Sequence, residues 1–152
     1  MADMQEVVGA WQTYLGTVDD WEALVRGVEP KEGGCGLVYE LPNPIERPDE
    51  SFAIADMRQL DISEPHKHIN GETEIYFVMQ GAGRIAVGTE MRSLAKGDYV
   101  VTPPDTIHCT LPDDELILAV VNTPPFNIDN YVAVSEADQP VAKMLVELRA
   151  ES

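Results

Sequence analysis

Hydrophobic and polar positions alternate with a short period through the middle of the chain. From Ser51 to about Asn122, short segments rich in Val, Ile, Tyr and Phe are separated by polar turns such as NG, QGAG, VGTE, AKGD and TPPD. This pattern is typical of β-strands and turns. It predicts eight strands, at about residues 51–60, 65–69, 74–80, 83–88, 91–94, 98–102, 107–111 and 115–122. Because no crossover helix fits between them, we expect largely antiparallel pairing in an all-β barrel or jelly roll.

Two flanking segments follow the helical period instead. In TVDDWEALVRGVEP, Asp19 or Asp20 is a candidate cap for a short helix, and in DQPVAKMLVELRAES apolar residues recur at helical spacing. No linker divides the chain, so we expect one domain. It has three parts: an N-terminal helix and edge segment in residues 1–50, a barrel core in 51–126, and a C-terminal helical tail in 127–152.

Composition excludes several classes of partner. The chain has 152 residues, 44% of them hydrophobic, and its net charge is −17. Such a charge repels phosphate backbones and anionic lipid, so we expect neither nucleic acid nor a membrane as partner. No apolar run has the length of a membrane span and the N-terminus lacks a signal-peptide pattern, so we expect a cytoplasmic protein. Cys35 and Cys109 are then expected to be reduced and inert.

The chain has only three histidines, and all lie at predicted strand ends. His66 and His68 are two residues apart, so they share one face of a strand. The next strand places Glu74 on one face with Tyr76 and Val78. His108 begins a later strand, after the Pro103-Pro104 turn. Three imidazoles and a carboxylate suit a divalent transition ion such as Mn, Fe, Co, Ni, Cu or Zn.

These residues resemble the two motifs of the cupin superfamily. The first motif, Gly-x5-His-x-His-x(3,4)-Glu-x6-Gly, is matched by His66, His68, Glu74 and Gly81, and the second, Gly-x5-Pro-x-Gly-x2-His-x3-Asn, by Gly97, Pro103 and His108. The two departures in the second motif are Asp105 for glycine and Pro112 for asparagine.

The first motif also departs from the pattern. Leu60 stands for its opening glycine, and five residues separate His68 from Glu74. Glu72 fits the shorter spacing, but the closing glycine would then fall at Met79. We prefer Glu74, because the NGET segment predicts a solvated turn that contains Glu72.

The resemblance implies a double-stranded β-helix, or jelly-roll, cupin barrel with a metal held by His66, His68, Glu74 and His108. It also implies a small-molecule substrate and points to a homodimer, in which Trp11 and Trp21 of the N-terminal segment are available to lie across a neighbour. Three hypotheses follow. The first is a metal-dependent enzyme on a small oxygen-bearing molecule, of the dioxygenase, decarboxylase, lyase or isomerase type. The second is a non-enzymatic binding or sensing module, and the third is a metal-free epimerase-like cupin with a histidine base.

In the enzyme hypothesis Glu74 is both a ligand and a candidate acid or base. Tyr76, Val78 and Thr110 are candidate pocket residues, because the strand period places them on the same faces as Glu74 and His108. Barrel filling is the alternative role for Tyr76 and Thr110.

Overall fold

The computed structural model describes residues 17–41 and 49–150. Its helices are a 3₁₀ turn at Val18–Asp20, α1 at Trp21–Leu24, a second 3₁₀ turn at Ile128–Asn130, and α2 at Gln139–Arg149. The strands are β1 (Lys31–Gly33), β2 (Gly36–Glu40), β3 (Ser51–Asp56), β4 (His66–His68), β5 (Thr73–Val87), β6 (Glu90–Ala95), β7 (Tyr99–Thr102), β8 (His108–Thr123) and β9 (Tyr131–Ala133).

The nine strands of the described residues belong to one curled antiparallel sheet. β8 pairs with β3, β4 and β5, while β5 also pairs with β6 and β7. β1 and β2 extend the sheet beyond β3, and β9 extends it beyond β4. Alternate side chains point into the curl and form its apolar core, which consists of Ala55, Met57, Tyr76, Val78, Ile85, Leu94, Leu116, Leu118 and Val120. The all-β jelly-roll prediction is therefore confirmed.

β5 and β8 are longer than the sequence pattern predicts. The predicted strands 74–80 and 83–88 form one strand, and so do 107–111 and 115–122. The register of β5 against β8 shifts between Val78 and Gln80 and again between Gly81 and Gly83. Because such bulges bend a strand without ending it, the polar residues read as turns are bends inside continuous strands.

The two helices cover the convex side of the sheet. Trp21 and Val25 pack against Ile54, Ile117 and Ala119. α2 buries four residues beside Ala86 and Cys109. These four recur at the helical spacing that predicted the tail helix, and they are Val141, Met144, Leu145 and Leu148. Among the described residues, no helix has the length and apolar character needed to cross a bilayer.

Candidate metal centre

Strand pairing brings together the four residues that the motifs single out. His66 of β4 is the register partner of His108 at the start of β8. Glu74, at the start of β5, is the partner of Thr102 in β7 and of Asn122 in β8. Asp105, where the second motif has glycine, adopts a φ of 59° and donates its backbone N–H to the carbonyl of His68. The turn before His108 is thereby tied to β4.

One ligand atom from each of these four buried residues lies within 4.8 Å of the other three. His108 Nε2 is 2.9 Å from Glu74 Oε1, and His68 Nε2 is 3.2 Å from Glu74 Oε2. The rings of His66 and His108 have centroids 4.2 Å apart. The predicted convergence of three imidazoles and one carboxylate is therefore present in the fold.

The other nitrogen of each imidazole faces an acceptor. His66 Nδ1 is 2.7 Å from the carbonyl oxygen of Glu64, and His108 Nδ1 is 3.0 Å from that of Thr106. A carbonyl oxygen only accepts, so Nδ1 donates in both rings and Nε2 is the nitrogen that faces the cluster. His66 Nε2 has no hydrogen-bond partner among the described residues.

The charges in the cluster perturb its pKa values in opposite directions. Burial, followed by the neighbouring His108, lowers the pKa of His66 to about 3. Burial would also lower the pKa of His68, but its hydrogen bond with Glu74 and the charges of Glu74 and Glu72 outweigh it and raise that pKa. For Glu74, hydrogen bonds from His108 and His68 overcome the effect of burial and hold the pKa well below its usual range. The carboxylate is thus anionic at neutral pH.

A divalent cation fits this arrangement of donors. Imidazole Nε2 atoms and carboxylate oxygens face one another at hydrogen-bond distance, so positive charge is required between them, and a divalent ion can supply it in place of protons. Three neutral imidazoles and one carboxylate are the ligand types that Zn, Fe, Ni and related ions accept. The residues present therefore suit a first-row divalent transition ion.

Glu72 is not the solvated turn residue that the sequence predicted. Its side chain is fully buried, and Oε2 lies 2.5 Å from His68 Nδ1, close enough for an ion pair although the ring N–H is not aligned for a hydrogen bond. The carboxylate also accepts from Asn122, Asn130 and the backbone N–H of Asn127. These asparagines follow Glu72 by fifty residues or more, so the NGET pattern contains no sign of them.

A cavity of about 640 Å³ opens beside the cluster. His66, His68 and Glu74 form part of its wall. Most of the remaining wall is apolar or aromatic, and includes Val38, Leu41, Phe52, Tyr76, Val120, Phe126, Ile128 and Tyr131. Acidic groups and Lys31 also line it, and Lys31 is paired with Glu40 at 2.7 Å. The volume suits a small molecule with an apolar body.

Of the three predicted pocket residues, the structure places only Tyr76 among the described residues that line this cavity. Burial, followed by the charge of Glu74, raises the pKa of Tyr76 well above its usual range, so its hydroxyl stays protonated. Val78 belongs to the apolar core, and the buried Thr110 donates its backbone N–H to Ser63 Oγ.

Tyr131 also lines the cavity, and the sequence patterns did not identify it. Its ring stacks on His66 with centroids 4.4 Å apart, and its hydroxyl donates to Glu64 Oε1 at 2.6 Å. Burial, followed by this hydrogen bond with Glu64, raises the pKa of Tyr131. Tyr131 lies beyond both motifs, in a strand of three residues that no pattern predicts.

A family model and a curated relative each match part of the chain. Residues 57–121 match the family model described as Cupin domain. A gentisate 1,2-dioxygenase of Haloferax sp is 34% identical over 103 residues, which make up 66% of this chain. The chain spans 29% of that relative's length.

Solved structures share the fold. The nucleoside dehydratase Pac13 of Streptomyces superposes with a TM-score of 0.64 at 14% identity, covering 82% of this chain and 92% of that one. A protein from Planctomyces limnophilus gives 0.63 at 18% identity, with 81% and 98% covered, and KdgF from Halomonas sp. gives 0.54 at 21%, with 61% and 82% covered. At these identities the likeness supports a common fold only.

Proposed function

The chain belongs to the cupin superfamily, and from that premise we propose that it is a metal-dependent dioxygenase acting on a small hydroxylated aromatic molecule. The observation that carries the proposal is the buried cluster of His66, His68, Glu74 and His108 at the wall of a cavity rich in apolar and aromatic side chains. The similarity to a gentisate 1,2-dioxygenase favours ring cleavage over the other cupin reactions.

In such a reaction both atoms of dioxygen enter the product, and one carbon–carbon bond of the ring breaks. A redox-active divalent ion held by the four residues would supply Lewis acidity and electron transfer. The protein itself would orient the ring. Val120, Phe126 and Ile128 offer flat apolar contact, while the ligand set fixes where the substrate hydroxyls approach.

Two tyrosines support a role in substrate positioning. Tyr76 and Tyr131 both line the cavity, and both keep their protons because burial raises their pKa values. The protonated Tyr76 is a candidate hydrogen-bond donor to a substrate oxygen, whereas Tyr131 already donates to Glu64 Oε1, so its oxygen is a candidate acceptor for a substrate hydroxyl. Glu74 stays anionic, which suits it to bind the ion, but its lowered pKa makes it a weak acceptor for a proton from a substrate hydroxyl.

Oxygen consumption tests the proposal. The purified protein is loaded with Fe²⁺, Mn²⁺ or Zn²⁺ and incubated with gentisate, and separately with catechol and hydroquinone. We expect uptake of one O₂ per substrate, with loss of the aromatic absorbance, in the iron or manganese form. His108→Ala serves as the inactive control.

Two other outcomes would indicate a different function. Tight binding of these compounds without turnover by any metal form would indicate a binding module. Turnover without consumption of O₂ would indicate a lyase or isomerase.

A further inference from the structure

A second carboxylate lies behind the candidate metal centre. Glu72 is fully buried, and each hydrogen bond that its carboxylate makes with the described residues is one that it accepts. Oε2 faces His68 Nδ1 at 2.5 Å and Asn122 Nδ2 at 3.0 Å. Oε1 accepts from the backbone N–H of Asn127 at 3.2 Å and from Asn130 Nδ2 at 3.3 Å. A buried carboxylate with this many donors is held in one orientation.

His68 differs from the other two histidines in its outer partner. His66 and His108 each donate Nδ1–H to the backbone carbonyl two residues earlier. His68 Nδ1 instead faces the side chain of Glu72. The ring N–H is not aligned for a hydrogen bond, but a carboxylate oxygen this close to Nδ1 favours a proton on that nitrogen over a lone pair, which leaves Nε2 as the nitrogen that faces the site. A carboxylate partner also makes an imidazole a more basic ligand than a carbonyl does.

Asn122 connects the two carboxylates. Its Nδ2 group donates to Glu72 Oε2 at 3.0 Å and to Glu74 Oε2 at 3.1 Å. Glu74 and Asn122 are register partners on β5 and β8, so the pairing of the two longest strands fixes this amide. Asn122 and Glu72 thus act together: Glu72 contacts His68, and Asn122 joins Glu72 to Glu74, so the orientations of His68 and Glu74 are linked.

We propose that Glu72 is a positioning residue of the metal centre, which holds His68 in the tautomer whose Nε2 binds the ion and, through Asn122, fixes the direction of Glu74. The proposal rests on the metal-dependent function given above. It assigns to Glu72 no contact with the ion or with substrate. Its effect is on metal affinity and on the state of His68.

Metal affinity of Glu72→Gln is the first test, measured by isothermal titration calorimetry with Zn²⁺ and Co²⁺. The glutamine keeps the size of the side chain but places an N–H₂ group among donors, so we expect the Kd to rise about 10- to 100-fold. Glu64→Gln is the matched control. It also removes one negative charge near the cluster, but His66 uses the backbone carbonyl of Glu64, which the substitution retains. Its Kd should stay within about twofold of wild type. Equal Kd values for Glu72→Gln and wild type would overturn the proposal.

The tautomer of His68 is the second test. It is measured on the wild-type protein, so the result does not depend on whether a variant folds. In the metal-free wild-type protein at pH 8, long-range ¹H–¹⁵N spectra of the ring are expected to show the proton of His68 on Nδ1. A proton on Nε2 alone would overturn the proposal. In Glu72→Gln the preference for Nδ1 should weaken, whereas in Glu64→Gln it should persist.

The two tests separate this proposal from the proposed function. Wild-type protein that binds no metal at all would defeat the function, while the spectrum of the metal-free protein would still test the contact between Glu72 and His68. Conversely, unchanged affinity in Glu72→Gln would leave the function standing.

Discussion

Gly81, between the two bulges of β5, is the position where one added methyl group should destabilise the barrel most directly. Its φ is +82°, in the left-handed region that favours glycine. A Cβ at this position would lie 1.6 Å from the carbonyl oxygen of Glu115 and 2.3 Å from the carbonyl carbon. Both atoms belong to the backbone of β8, so Gly81→Ala must push the two central strands apart.

The expected loss in the free energy of unfolding has two parts, and a substitution at a second glycine, Gly71, measures one of them alone. The left-handed conformation costs an alanine about 1–2 kcal/mol. Overpacking against backbone adds about 1–3 kcal/mol, so Gly81→Ala should lower the free energy of unfolding by roughly 2–5 kcal/mol. Gly71 has a similar φ of +76°, but a Cβ there would meet nothing within 4 Å. Gly71→Ala should therefore lose only the conformational part.

Urea unfolding of the metal-free variants, followed by tryptophan fluorescence, measures both values. Metal is removed because a bound ion would add its own binding energy to the apparent stability. We expect Gly81→Ala to lose at least about 1 kcal/mol more than Gly71→Ala. Equal losses of unfolding free energy in the two variants would show that β5 can move away from β8 at little cost. That result would refute the reasoning from the close approach of the two strands.

Three further predictions concern the metal, the thiols and the assembly. Chelation should lower the melting temperature by about 5–10 °C, because an ion at about 100 times its Kd stabilises the fold by about 2.7 kcal/mol; an unchanged melting curve after verified metal removal would argue against the site. Burial, followed by the charge of Glu74, raises the pKa of Cys35 to about 12, so at pH 8 its thiolate fraction should be about a thousandfold below that of the unfolded chain, and Ellman's reagent should react with it only after unfolding or at much higher pH. We also expect a homodimer that covers the exposed apolar side chains Phe77, Tyr99 and Val101 of β5 and β7; light scattering should give twice 16.7 kDa for wild type and less for Phe77→Ser, and a wild-type mass of 16.7 kDa would rule the dimer out.

The sequence was sufficient for the all-β class and for the convergence of the cluster, because both depend on local patterns. The two-residue period of a strand puts His66 and His68 on one face and Glu74 with Tyr76 on another, and the motif spacing adds His108. The helical period likewise identified the buried face of α2. These features depend on neighbours only a few residues apart.

The misplacement of Glu72 shows what local patterns omit. An acid after Asn-Gly is typical of a solvated turn, yet Asn122, Asn127 and Asn130 close over Glu72 from distant parts of the chain. Tyr131 was missed for the same reason, because its position beside His66 depends on the pairing of β4 with β9. Of the two tryptophans predicted to lie across a neighbour, Trp21 is instead buried against the sheet of its own chain, and Trp11 lies outside the described residues.

The metal centre is tested most simply by comparing the wild type with Glu74→Gln. The two quantities to compare are metal content and metal affinity. Mass spectrometry of the metals in purified protein, followed by calorimetric titration of Zn²⁺ into the metal-free form, gives both quantities. We expect one ion per chain in the wild type. We also expect a larger loss of affinity in Glu74→Gln than in Glu72→Gln, because Glu74 is the anionic donor of the cluster. If the wild type binds no divalent ion, or if Glu74→Gln binds it as tightly as the wild type, then these residues do not form the metal centre described here.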